Sequence, residues 1–417
     1  MNITSEFYKN KFDFLITLII ISLPIIFIAG SSVINISVIV VDILFIYTLY
    51  RRKNFNYLNN RYFYSLLIFW FYLLINLFFS IDYNESLSRS VGFIRFILFA
   101  FAISFFLQNK TAKIRKIIFN YWTLIFLLIS FDLIIEFILG FNLFGFESPL
   151  PGRLGGVMGQ ELKIGHFYSA FILICLVNFY DSSNINIINK YKTFINNKTS
   201  FYFFLALLIF VSFAIGERSN FIKTFLMCAA LLFLIDRINF KKKIISLILL
   251  IIVFFTIIFS KPYFKYRFWD MFLSPLFKNP IEYVSNSKYG SHYKVAIQVF
   301  ENNKFFGVGL KNYRLEVIKN EYDRDASVHP HQIHFEILSE LGLIGYILFI
   351  SVFFYNIFYS TRTLFKKKDK TQLCGLLFII ATFIPLIPSG SFFTTYGAVL
   401  FWFNFALMLP KEDSILK

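Results

Sequence analysis

The chain has 417 residues, of which 57% are hydrophobic and 21% aromatic, with 60 phenylalanines and a mean hydropathy of +0.65. A water-soluble domain of this length has too little interior for such a load, so composition excludes an ordinary soluble enzyme. The formal net charge of +17 then has to be read against a membrane before it is read against nucleic acid.

Apolar runs of about twenty residues recur from end to end. They predict an all-α, polytopic integral membrane protein with about twelve transmembrane helices: residues 14–29, 31–50, 62–81, 90–107, 117–139, 164–180, 201–216, 219–235, 244–259, 341–359, 372–388 and 391–409. The first run has no small-residue cleavage site behind it and reads as a retained span. Three segments follow: 1–259 with nine spans, 260–340 as a large extracytoplasmic loop, and 341–417 with three spans and a cytoplasmic tail. Cys175, Cys228 and Cys374 all fall inside apolar runs, which argues against a disulfide framework and a CxxC metal site.

Charge sets the orientation. With the N-terminus in the cytoplasm, the inner segments hold 24 of the 41 basic residues, whereas the short outer connections hold only Arg89, Arg153, Lys163 and Arg218. Such asymmetry in short loops is the positive-inside pattern, and the net charge reflects topology and anionic lipid, with no nucleic-acid partner. The segment from Ser260 to Pro330 falls outside, with 11 basic and 7 acidic residues. Within it, Val295, Val299, Ala296 and Phe300 have helical spacing, and Gly307-Val-Gly309 breaks the pattern. A small helical cap on the membrane face is expected.

Arg95, Lys223, Asp42, Asp132 and Glu136 lie within predicted spans. Buried charge is costly in a bilayer, and all but Asp42 sit in the outer half of their helices. That bias predicts a polar cavity open to the outside; the alternative is plain pairing, such as Arg95 with Asp132.

Three of the five histidines, His329, His331 and His334, fall within six residues. Pro330 fixes its own φ and predicts a helix starting there, with His331 in its first turn, where the dipole favours a neutral imidazole. A zinc site built from the three is a rival, but proline spoils their helical spacing and no Cys or Asp adjoins them. Glu336 and Glu340, four apart on one helix face, predict a solvated face, with an acid–base pair as the alternative. Tyr289, Tyr293 and Tyr313 are candidates for stacking on sugar rings.

His331-Gln332 followed after nine residues by Gly342-Leu-Ile-Gly345 resembles the signature of the bacterial O-antigen ligase and polymerase family. Phe306-Gly-Val-Gly-Leu-Lys-Asn-Tyr313 resembles that family's glycine turn in the external loop, and Gly216-Glu-Arg218-Ser its arginine at an outer helix end. Arg153-Leu-Gly-Gly with Glu161-Leu-Lys-Ile-Gly165 resembles a further outer-loop motif. These pieces run from about 150 to 345 in the family's order. Two positions depart from it: Tyr346 replaces a small β-branched residue, and Gly290-Ser-His292-Tyr stands where many ligases carry a second arginine.

The resemblance implies a bacterial inner-membrane glycosyltransferase with its active site on the periplasmic side. It would use no cofactor and no metal. The implied donor is a glycan linked to polyprenyl pyrophosphate, and the implied acceptor is another glycan or lipid A–core, with membrane lipids and a chain-length regulator as further partners. His331 would take the acceptor proton and Arg218 would hold the pyrophosphate. Arg153, Lys163, His292, Arg95, Glu161, Glu217, His329 and Tyr313 are the substrate-binding candidates, with Glu217 orienting Arg218. A flippase for lipid-linked oligosaccharide is the alternative from another class; a scaffold is the third.

Overall fold

Long apolar stretches have only two ways to satisfy their backbone in lipid, and here every one of them becomes helix. The computed structural model describes residues 11–148, 150–183, 197–235, 240–260, 262–319 and 327–411. Six helices are long and apolar enough to cross a bilayer: Ser31–Arg52, Arg61–Phe79, Tyr83–Gln108, Ala112–Leu139, Ile164–Asp181 and Ile333–Lys367. Lys243–Phe259 and Pro262–Lys278 form a bent pair that would make a seventh, and Phe12–Ile21, Ser200–Ala214, Lys370–Thr382 and Thr395–Met408 are shorter apolar helices. The protein is a multi-pass membrane protein. Residues such as Phe78, Phe203 and Ile43 point their apolar side chains outward, as lipid-facing positions do.

Two compact units are each assembled from separate stretches. The first takes its described residues from Met1–Ser37, Phe105–Met271 and Asp369–Ala381. Its central helix, Ala112–Leu139, starts where the Thr111 hydroxyl accepts the Ile114 N–H and stops at Gly140 in the left-handed region. Trp122, Phe126, Phe167, Tyr168 and Phe171 pack at its core.

The second unit comprises Val38–Ser104, Phe272–Lys368 and the described part of Thr382–Lys417. An aromatic core of Phe349, Phe353, Phe392, Phe401 and Trp402 packs within this unit, which also holds residues 272–340 of the expected external loop. The expected apolar spacing in that segment is realised: helix Lys288–Asn302 buries Val295, Ala296 and Val299 against Val308, Tyr313 and Val317.

The expected run 372–388 is helical only to Thr382, and the next helix begins at Thr395. Pro385 and Pro388 cannot donate to a helix ladder, so residues 383–394 form an irregular wall instead.

Candidate functional site

The second unit holds the histidines. The predicted helix start at Pro330 is corrected: the helix begins at Ile333, and the Gln332 side chain caps it by accepting the N–H groups of His334 (2.7 Å) and Phe335 (3.1 Å). A short polar side chain after the histidine therefore has a structural reason. His331 lies before the cap, with φ of 55° in the left-handed region. That conformation is strained for a residue with a Cβ, and such strain concentrates at functional sites. It is held by the Ser389 N–H, which donates to the His331 carbonyl at 2.7 Å.

The His331 imidazole stacks on His292, with ring centres 5.1 Å apart, and meets His329 at 4.8 Å and the edge of Tyr289 at 6.1 Å. Burial comes first in holding its pKa down to about 4, followed by the neighbouring His329, His292 and Lys288. Partial burial and these neighbours, not a helix dipole, are what disfavour the charged imidazole here. His329 is likewise lowered to about 4, by burial.

The sign of the linkage follows. Between about pH 6.5 and 4 the unfolded chain protonates these two rings and the folded turn does not. Stability of the turn should therefore fall as pH drops through that window and stay level above it. Hydrogen exchange at residues 327–335, corrected for intrinsic rates, should show protection declining below pH 6.5.

The glycine pair of the signature shapes the helix. Gly342 has φ 69° and ψ −172° in the middle of Ile333–Lys367 and breaks it sharply. The bend shows in the contact between Tyr346 and His334. Their side chains bond at 3.2 Å although they are 12 residues apart, a separation that a straight helix would stretch to about 18 Å. Backbone groups freed by the break are taken up by the glycine turn. Val308 donates to Ser339, Gly309 to Glu340, Leu343 to Lys304 and Ile344 to Phe305, at 2.8–3.2 Å. Gly345 leaves room for Tyr72, whose hydroxyl donates to the freed Leu341 carbonyl at 2.7 Å.

His334 is a structural member of this bend. Its Nε2–H donates to the Phe383 carbonyl at 2.9 Å, which leaves Nδ1 to accept the Tyr346 hydroxyl. Tyr346, a departure from the family pattern, thus has a partner in the same chain. Among the described residues, no three His, Cys, Asp or Glu side chains are grouped to hold a metal ion.

The remaining candidates in this unit sort by depth. His292 is buried, and its Nδ1 accepts the Ser327 N–H at 2.9 Å, so it anchors the stretch entering the histidine turn. Tyr313 is 1% exposed within the loop core and offers no face to a sugar as placed; Tyr289 is the tyrosine at the surface beside His331. Arg95 lies over the Phe96 ring at 4.7 Å, within electrostatic reach of Asp42 and Arg89. Glu336 and Glu340 are buried, which corrects the solvated face expected of them: spacing puts both on one face, but the loop wall covers it.

The first unit holds Arg153, Lys163 and Arg218. Gly216, with φ 80°, lets the 151–154 chain cross directly over it, and Leu154 N–H donates to Ile215 at 3.1 Å. Arg218, half-buried, is the first residue of helix Arg218–Leu234, just behind this turn. Arg153 pairs with Glu217 at 2.7 Å, and Asn220 also donates to Glu217. Glu217 therefore holds Arg153. Lys163 pairs with Glu161 at 2.8 Å in an exposed bridge, so neither brings uncompensated charge. His166 sits in electrostatic reach of Glu217, Lys223, Arg153 and Lys163.

Asp132 accepts the Leu143 N–H at 2.9 Å, while Glu136 accepts Gly155 N–H, Gly156 N–H and the Ser148 hydroxyl. These two acids tie down the chain that follows their helix. Arg267 contributes a further brace, donating to the Gly216 carbonyl at 2.8 Å. No sequence spacing marks Arg267, Tyr72 or Ser389 for these tasks; only the long-range chain crossings do.

A bent helix with a strained histidine just before its cap, and a glycine crossing that supports an arginine, define a membrane protein with polar groups gathered at its helix ends. Residues 203–350 match the family model described as O-Antigen ligase, a stretch that includes Arg218, His292, His331, Gly342 and Gly345. That stretch carries the resemblance to the O-antigen ligase/polymerase family. The teichuronic acid biosynthesis protein TuaE of Bacillus subtilis (strain 168) is 28% identical over 199 residues, covering 44% of this chain and 40% of TuaE. The match thus spans well under half the length of that relative.

Proposed function

We propose that this protein is a membrane glycosyltransferase that moves a glycan from a polyprenyl-pyrophosphate carrier to an acceptor hydroxyl during surface polysaccharide assembly. The observation that carries this reading is His331: strained in its backbone and held among His292, His329 and Tyr289, inside the segment that matches O-antigen ligase. The reaction runs on the outer face of the bacterial inner membrane, and the twelve apolar runs cross it.

His331 accepts the proton of the acceptor hydroxyl as its oxygen attacks the anomeric carbon. An approaching diphosphate raises the imidazole's proton affinity back toward neutrality, so the substrate itself readies the base. Arg218 stabilises the departing diphosphate with a guanidinium that stays charged at every working pH. Arg153 and Lys163 line the outer surface nearby in sequence, each already balanced by a carboxylate, and serve to orient rather than to clamp.

A deletion strain tests the reading through its surface polysaccharide on a gel. A ladder reduced to one repeat identifies a polymerase; carrier-linked chains with bare lipid A–core identify a ligase. Complementation with Arg218→Ala should leave transfer reduced by about 10²-fold. A normal polysaccharide pattern in the deletion strain would contradict the reading.

A further inference from the structure

The glycosyl-transfer reading uses His331 and leaves unexplained the buried acid behind it. Glu336 is 2% exposed in the first turn of the helix capped by Gln332. Its carboxylate accepts the Ser391 hydroxyl and, at 2.8 Å, the Phe392 N–H. Both donors belong to the 383–394 wall. They fix the carboxylate toward His329, whose Nδ1 lies 4.0 Å from Oε1. The His329 ring in turn stands 4.8 Å from His331. His329 Nε2 is buried and has no hydrogen-bond partner among the described residues. A carboxylate taken out of water is costly, and two neutral donors are not enough to balance a full charge.

We propose that Glu336 carries the countercharge for the proton that His331 takes from the acceptor, with His329 bridging the two. The proposal rests on the glycosyl-transfer reading. In the step concerned, the acceptor O–H bond breaks and its proton goes to His331. The acceptor oxygen bonds to the anomeric carbon, and the bond from that carbon to the diphosphate oxygen breaks, its electron pair leaving on the carrier. Positive charge then resides on touching imidazoles. The Glu336 carboxylate, within one short movement of His329, balances it until the proton passes to solvent. Glu336 touches no reacting atom and is a positioning residue.

Other charges face this group. Lys288 and His292 come from helix Lys288–Asn302, Arg89 from Tyr83–Gly92, and Glu340 from the same helix one turn on. Arg314 lies in reach of Glu340. The wall contributes only hydroxyl and backbone groups, Ser389 and Ser391 among them. Glu336 is the acid that His329 meets in this arrangement.

The test uses the purified full chain. Carbethoxylation of His331, followed by mass spectrometry across pH without donor, reads its titration midpoint; transfer from a lipid-linked glycan is followed over the same range. In Glu336→Gln the His331 midpoint should fall by about one pH unit. Transfer should drop by about tenfold, with its acid limb displaced to lower pH, because an unbalanced imidazolium is a poorer resting place for the proton. Glu336→Asp, whose carboxylate is set back by one methylene, should fall between wild type and Gln in both readouts. A folded Glu336→Gln protein with an unmoved midpoint overturns the proposal, whatever its rate, since a merely structural role lowers the rate without moving the titration. Should the Gln variant fail to accumulate, Glu336→Asp carries the test alone, and a midpoint equal to wild type overturns it. A displaced midpoint together with full transfer by His331→Asn overturns the transfer reading instead, while the coupling of Glu336 to the histidines stands.

Discussion

Replacing His331 by asparagine is expected to lower glycan transfer by about 10²-fold or more while the protein stays inserted and folded. Asparagine is the informative choice because the position has φ of 55°. Asn tolerates the left-handed region better than other residues with a Cβ, so it removes the imidazole without adding backbone strain. Alanine would confound the two effects. The Ser389 N–H bond to the residue 331 carbonyl survives either change, since it uses backbone only. Near-normal transfer by a folded His331→Asn protein would remove His331 from the chemistry.

Gly342→Ala should be the most damaging single methyl in the second unit. Its φ and ψ of 69° and −172° lie in a region that essentially glycine alone occupies. An added Cβ would run into backbone atoms of Phe305 and Gly307, which cannot swing aside as a side chain can. Strain and overpacking together should cost about 3 kcal/mol or more. The bend that joins Tyr346 to His334 would open, and the hydrogen bonds from the glycine turn would be lost with it. A thermal melt should show a lowered midpoint, and transfer should fall to background. A variant with wild-type stability would mean that the bend is not fixed by this residue.

The helices were legible because lipid forces long apolar runs to satisfy their own backbone, and Phe-rich stretches such as 90–107 leave no other choice. The helix in the external segment was legible for a related reason: Val295, Ala296 and Val299 repeat at the spacing of one buried face. What spacing does not carry is which neighbour covers that face. Glu336 and Glu340 fit a solvated stripe equally well until the 383–394 wall covers the first and the 307–311 turn the second. The start of the histidine helix was misplaced because Pro330 is a good first-turn residue, but a left-handed His331 and a capping Gln332 intervene. Sequence adjacency suggests Arg218 as the partner of Glu217 and gives no hint of its bridge to Arg153, 64 residues away. Pairings of that range depend on chain crossings such as the one Gly216 permits.

The most direct measurement is on the purified protein in vesicles, supplied with a carrier-linked glycan and an acceptor glycan. A glycosyl transferase yields a new glycosidic bond and free carrier diphosphate in equal amounts, and His331→Asn yields neither above background. Movement of intact carrier-linked glycan across the vesicle, with no bond formed and no diphosphate released, would contradict the account and point to a transporter.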